Sequence, residues 1–280
     1  MNLILQDLTT NADDIKRIAA LAHAKQVVQI NVHAWRCLDA DISETTKKAV
    51  DEACWNAKLD YAFMEPESKL SDFALLAMDM DSTLITIECI DEIADMQGLK
   101  PQVAEITEAA MRGEIEFRES LTRRVALLKG LDASALQRVY DERLKLSSGA
   151  ERMLAAVKSA GLKTLLVSGG FTFFTDRIRE RLGLDYSHSN QLEIENGKLT
   201  GRVVGGIVDA DEKKRAVERI CAQLNVPCKK AIVMGDGAND LKMMSIAGMS
   251  VAFRAKPIVR AQADIALNFV GLDGILALFE

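Results

Sequence analysis

The sequence predicts an α/β fold: a doubly wound parallel sheet, an all-helical insertion after its first strand, and a small α+β unit in front. Three observations predict it. From Phe73 onward, short continuous apolar runs alternate with helical patterns, as in a parallel sheet covered on both faces. Residues 84–147 interrupt that alternation with helical periodicity alone. Ahead of the stretch holding Pro66, Ser68 and Ser71 lies a separate, shorter alternation of strands and helices.

In the front unit, residues 2–6 are apolar and suit a strand. Thr10 or Asn11 then caps a helix with Ile15, Ile18, Ala19 and Ala22 on one face. Gln26 to Val32 alternates like a half-buried strand, Ser43 and Thr46 to Lys58 read as a helix, and Leu59 to Met64 as a strand. This β-α-β-α-β unit is too short for a dinucleotide fold. Glu65 to Asp72 reads as a linker. Phe73 to Met78 is then the first buried strand, followed by Thr164 to Val167, Ala231 to Met234, Met249 to Phe253 and Ile265 to Leu267. Helices are expected at Phe171 to Leu182, Lys213 to Leu224, Asp240 to Ala247 and Pro257 to Ala263, with Gly271 to Glu280 as a terminal helix. Within the insertion, Ile90, Ile93 and Ala94 share one face; Leu121, Val125 and Leu128 share another, and Leu136, Val139 and Leu144 a third. Asn196-Gly197 suits a type I′ hairpin turn between Gln191–Ile194 and Lys198–Val204. The expected domains are residues 1–70, a core of 71–83 and 148–280, and a helical cap of 84–147.

The chain has 280 residues, 49% apolar and 27% charged, with a net charge of −6. It can bury an ordinary core. No basic stripe points to nucleic acid, and a mildly acidic surface disfavours anionic membranes. Met1 to Asp14 contains no Lys or Arg, unlike a secretory signal, and no apolar run approaches the ~20 residues of a membrane span. Cys37, Cys54, Cys89, Cys221 and Cys228 are an odd count with no C-x-x-C pair, so a disulfide framework or zinc site is not supported and a cytoplasmic setting is expected. His23, His33 and His188 are scattered and read as structural or surface residues.

Three strand ends carry useful chemistry: Asp79-Met80-Asp81-Ser82-Thr83, Ser168-Gly169-Gly170 and Gly235-Asp236-Gly237-Ala238-Asn239-Asp240. Each alone could merely terminate a strand and cap a helix. Together they lie where an open α/β sheet binds ligands. Asp79 and Asp81, two residues apart, can converge on one ligand. Asp236 adds a third negative charge, and a bound dication resolves the repulsion. The donors are all hard oxygens, which favours Mg²⁺. Ser168 offers a hydroxyl to a phosphate, Gly169 and Gly170 offer backbone N–H groups at a helix start, and Lys213 or Lys214 offers an ammonium.

These motifs resemble the haloacid dehalogenase-like superfamily, with its Rossmann-like core. D-x-D-S-T at Asp79 and G-D-G-x-N-D at Gly235 look like its phosphatases. Glu88, Asp91 and Glu92, Val167 to Phe171, Asn196 to Gly201 and Ala255-Lys256-Pro257 are similar to the phosphoserine phosphatases within it. The resemblance runs from about Asp72 to the C-terminus. It implies Mg²⁺-dependent hydrolysis of O-phosphoserine to serine and phosphate, the last step of serine biosynthesis, with Asp79 as nucleophile and Asp81 as general acid and base. Asp79, the Asp81 carbonyl, Asp236 and Asp240 would hold the metal. Ser168, Gly169 and Lys213 would bind the phosphoryl group, Lys213 being favoured over Lys214 by its distance from Gly201–Gly205. Glu88 would take the substrate ammonium and Arg124 its carboxylate, with Met111, Phe117 and Asn239 around the substrate. Residues 1–70 resemble ferredoxin-like (ACT-like) regulatory domains, which leaves room for an amino-acid ligand and for a homodimer. The rival readings are a phosphatase or phosphotransferase for another small phosphomonoester, such as phosphohomoserine, and an amino-acid sensor with a vestigial phosphatase body.

Overall fold

The computed structural model of the protein describes residues 1–9, 11–112 and 114–279, with every side chain in those spans except that of Met111. The chain opens with β1 (Asn2–Gln6), α1 (Ala12–Leu21), β2 (Gln26–Asn31), β3 (Ala34–Leu38), α2 (Glu44–Ala57) and β4 (Asp60–Met64). This β-α-β-β-α-β order is that of a ferredoxin-like unit. Strand β3 is absent from the sequence-based expectation. Only Val32 and His33 separate it from β2, and Arg36 breaks its apolar pattern, so the two strands read as one element and a loop. The burial is also reversed: β2, expected to be half-buried, is the exposed outer arm, while β3 buries Ala34 and Cys37. Asn11 caps α1, its side chain accepting from Asp13 N at 3.1 Å; Thr10 lies outside the described residues.

The chain continues through β5 (Leu75–Met78), α3 (Cys89–Asp95), α4 (Lys100–Met111), α5 (Phe117–Leu127), α6 (Ser134–Glu142), α7 (Ala150–Ser159) and β6 (Lys163–Phe171). Then come α8 (Thr172–Leu182), β7 (Tyr186–Glu195), β8 (Lys198–Val204), α9 (Ala210–Gln223) and β9 (Ala231–Gly235). The last elements are α10 (Leu241–Met244), β10 (Met249–Phe253), α11 (Pro257–Arg260) and β11 (Ile265–Leu267). Residues 272–278 form a buried 3₁₀ turn where an α-helix was expected; Glu280 is not described. Among the described residues no helix is long and apolar enough to cross a membrane.

Contacts divide the chain into two units. The first comprises residues 1–76, 148–163 and 229 onward. Its strands run in the order β2-β3-β1-β4-β11-β10-β9. Strands β9, β10 and β11 are parallel, as their apolar runs predict, and β4 joins β11 antiparallel at Tyr61 and Ala266. The front unit is therefore continuous with the core sheet. Asp60, 1% exposed, anchors the junction. It accepts the backbone N–H groups of Asn268 (2.7 Å), Phe269 (2.8 Å) and Val270 (2.9 Å).

The second unit comprises residues 77–147 and 164–228. Its strand order is β6-β7-β8. Strand β7 pairs parallel with β6 through Leu165↔Tyr186 and Val167↔His188, then antiparallel with β8 across the Asn196-Gly197 turn. Both turn residues have positive φ, 50° and 75°, as a type I′ turn requires. The insertion is helical among its described residues, and its three apolar faces, from Ile90 to Leu144, are buried.

Candidate active site

Strand β5 buries all four of its side chains and delivers Asp79 at its end. Asp79 is buried, 5% exposed. Its Oδ1 accepts the Met80 N–H at 2.7 Å, and its Oδ2 lies 2.8 Å from Lys213 Nζ. Lys213 is wholly buried. It was expected to open its helix, but α9 starts three residues earlier, with Asp209 as N-cap. Lys213 therefore lies one turn in, on the buried face, while Lys214 points outward to Glu218 at 3.7 Å. Helical geometry separates the two neighbours by about 100°.

After Asp79 the chain makes one wide turn over Met80–Leu84, closed by Ile85 N–H to Met80 O at 3.0 Å. Ser82 takes a left-handed conformation there, φ 55°, unusual for a serine. That turn directs its hydroxyl to Glu88 at 2.6 Å. Asp81 Oδ1 faces the Cys89 N–H at 3.4 Å. Burial first, and the Glu88 carboxylate second, push Asp81 up to about 8. Desolvation is the larger of the two causes.

Strand β6 was expected to end at Val167 but runs to Phe171, so Gly169 and Gly170 are strand residues and α8 begins only at Thr172. The Gly170 N–H is not open to an anion, because it donates to Ser168 Oγ at 2.8 Å. A Cβ on Gly170 would stand 2.9 Å from Asp81 Oδ2 and 3.0 Å from Ser168 Oγ, so glycine lets these two groups approach. Phe117 covers the same strand end: its Cζ would be 3.1 Å from a Cβ on Gly169. Asn190, which no motif marks, ties this end to the loop entering α9. It donates to Gly169 O at 2.7 Å and accepts from Val208 N at 2.8 Å.

Arg124 lies on α5, its Nε buried and without a hydrogen-bond partner. Burial lowers its pKa, against the nearby charges of Asp91, Glu88 and Asp81, which raise it. Asp91 Oδ1 is also buried and unpartnered. A half-buried guanidinium with an unmet, buried Nε donor is suited to a planar carboxylate. The Met111 side chain lies outside the described residues.

In the first unit, β9 ends at Gly235 and presents the half-buried Asp236. The loop is braced by Asp240, buried, whose Oδ2 accepts from Asp236 N (3.2 Å) and Gly237 N (3.1 Å). A Cβ on Gly235 would come within 2.3 Å of that oxygen, which explains the glycine. Asn239 is half-buried beside it, its Oδ1 close to Gly237.

A carboxylate paired with a buried ammonium, beside a second carboxyl that keeps its proton near neutrality, can carry out nucleophilic attack with general-acid help. Comparisons with known proteins agree with that chemistry. Residues 73–248 match the haloacid dehalogenase-like hydrolases. Residues 3–47 match a domain family of unknown function, DUF4072. A phosphoserine phosphatase of Polaromonas is 59% identical over 220 residues, covering 77% of this chain and 93% of the relative. A haloacid dehalogenase family hydrolase of Salmonella enterica serovar Typhi superposes with a TM-score of 0.90 at 32% identity, covering 100% of this chain and 99% of that one. A probable phosphoserine phosphatase of Vibrio cholerae gives a TM-score of 0.84 at 34% identity, covering 99% of this chain and 86% of that one. The chain belongs to the haloacid dehalogenase-like hydrolases and, within them, to the phosphoserine phosphatase family.

Proposed function

We propose that this hydrolase cleaves O-phospho-L-serine to L-serine and phosphate. One observation carries the reading: Asp79 and Asp81 sit in opposed surroundings, the first against the Lys213 ammonium, the second holding its proton to about pH 8. Asp79 attacks phosphorus, and the bond to the serine oxygen breaks as Asp81 gives that oxygen its proton. Asp81, now ionised, takes a proton from the water that opens the aspartyl-phosphate, which restores Asp79 and releases phosphate. The Ser168 hydroxyl, the Gly169 N–H and Lys213 hold the phosphoryl oxygens.

Asp79, Asp236 and Asp240 would supply carboxylates to a metal ion. Together with the Asp81 carbonyl they are oxygen donors without His or Cys, which fits Mg²⁺. Bound there, Mg²⁺ would neutralise charge on the phosphoryl oxygens. Glu88 would take the substrate ammonium and Arg124 its carboxylate, the unmet Arg124 Nε being the support for the second assignment. Phe117, Met111 and Asn239 complete the substrate surroundings.

The same reading extends to the boundaries and partners. Residues 1–70 would act as the regulatory or interaction unit, taking an amino acid or a second copy; the ferredoxin-like order and the exposed β2 support this. Residues 84–147 would act as a cap on the core of 71–83 and 148–280. Five cysteines without a disulfide agree with a cytoplasmic setting and a place in serine biosynthesis. The test is phosphate release from phosphoserine with and without Mg²⁺, with Asp79→Asn as control. Release that needs the metal and is lost in the variant is expected. No release, or near-normal release by Asp79→Asn, would overturn the reading.

A further inference from the structure

Helix α5 is held differently at its two ends. Beyond its C-terminal end, Gly130 N–H donates to Leu199 O, Leu199 N–H to Leu131 O and Ala133 N–H to Gly197 O, each at 2.8 Å. Close packing adds to this anchor: a Cβ on Gly201 would be 2.9 Å from Lys129 Cβ and 3.2 Å from Ala126 O. About 15 Å away along the axis, the first turn carries Phe117 over Gly169, and the next residue is Arg118.

Arg118 reaches Asp209 with Nε at 2.6 Å and Nη2 at 2.5 Å, both to Oδ2. The other oxygen of Asp209, Oδ1, accepts the Glu212 N–H at 2.9 Å and so caps α9. Lys213, 2.8 Å from Asp79, is the next residue. One carboxylate thus has one oxygen on the insertion and the other on the helix that supplies the buried ammonium.

We propose that Arg118 is a positioning residue for phosphoester turnover: its pair with Asp209 clasps the N-terminal end of α5, and Phe117 with it, over the Ser168–Gly169 strand end. The opposite end of α5, bonded to the β7–β8 hairpin, is the pivot. This rests on the phosphatase reading given above for the substrate, though not for the clasp itself. Arg118 is 57% exposed, so the pair is partly screened and the effect is moderate. Loss of the clasp should raise KM about five-fold, leave kcat within about two-fold, and remove the salt dependence of KM that a half-exposed ion pair confers.

Asp209→Asn separates the clasp from the cap, since the amide oxygen can still accept from Glu212. The experiment compares the wild type with R118A, R118K, D209N and the R118A/D209N double variant. It measures kcat and KM for phosphoserine at saturating Mg²⁺ against ionic strength, and amide hydrogen exchange in residues 117–121. R118A and D209N should match each other in KM, the double variant should add nothing, R118K should fall between these and the wild type, and the first turn of α5 should exchange fastest in R118A, D209N and the double variant, with R118K intermediate. Wild-type KM values in R118A and D209N, or multiplied effects in the double variant, would overturn the proposal. If the wild type leaves phosphoserine intact, the substrate reading falls by itself. The clasp then stands or falls on exchange: faster exchange in R118A and D209N supports it, and unchanged exchange ends it.

Discussion

Replacing Lys213 with Met removes an ammonium from 2.8 Å beside Asp79 while keeping the volume of a buried side chain. At an effective dielectric near 20, two unit charges at that distance attract by about 6 kcal/mol. Desolvating them offsets part of that, and breaking a buried pair from one side typically costs about 3–5 kcal/mol. For a chain of this size each kcal/mol shifts Tm by about 2–4 °C, so the metal-free variant should melt roughly 6–20 °C below the wild type. Calorimetry in chelator-treated buffer measures this. A cycle with Asp79→Asn isolates the pair: the double variant should lose less than the sum of the single losses, with a coupling of about 3 kcal/mol. Turnover should fall by about 10²–10³ in Lys213→Met because a preorganised donor is gone. A metal-free Lys213→Met protein melting with the wild type, or strictly additive losses, would refute the reasoning from charge pairing.

Three other perturbations test separate parts. Asp60→Ala removes the acceptor of three backbone N–H groups and should cost about 3 kcal/mol or more, read as a lower urea midpoint; an unchanged midpoint would mean that loop 268–270 finds other acceptors. Asp81 keeps its proton to about pH 8 in the native state and to near 4 when unfolded, so the native state binds protons more strongly. Metal-free stability should therefore fall as pH rises from about 4 to about 8, and Asp81→Asn should flatten that slope; identical slopes in the two proteins would contradict the burial argument. Arg124→Ala should raise KM for phosphoserine at least ten-fold more than for a phosphate ester lacking a carboxylate, and equal losses on both would remove Arg124 from recognition.

The parallel strands were legible because a strand buried on both faces must be largely apolar, and β9 and β11 are apolar throughout. The hairpin was legible because Asn-Gly accepts two positive φ values at low cost. Strand β3 was not, since its pairing with β1 is long-range and its own pattern contains an arginine. The length of β6 was hidden for a related reason. Ser-Gly-Gly looks like a strand end by propensity, yet tertiary pairing of Phe171 with Asn190 keeps it extended. At the site, Asp79 and Asp81 could be found from spacing. Asn190 and Cys89 could not, because they act through backbone groups brought near only by the fold, and the pairing of Asp209 with Arg118 spans 91 residues. Lys213 and Lys214 differ only in which face of α9 they occupy, which depends on where that helix begins.

The seam between β4 and β11 limits how residues 1–64 can send a signal. They are stitched edge to edge into the strands that lead through β10 to β9 and the Asp236 loop, and the Asp60 anchor bolts the seam at one end. A swinging-door motion of that region would have to unzip a sheet. An effector bound there would instead reach the Asp236 loop as added twist or stiffness along the ladder.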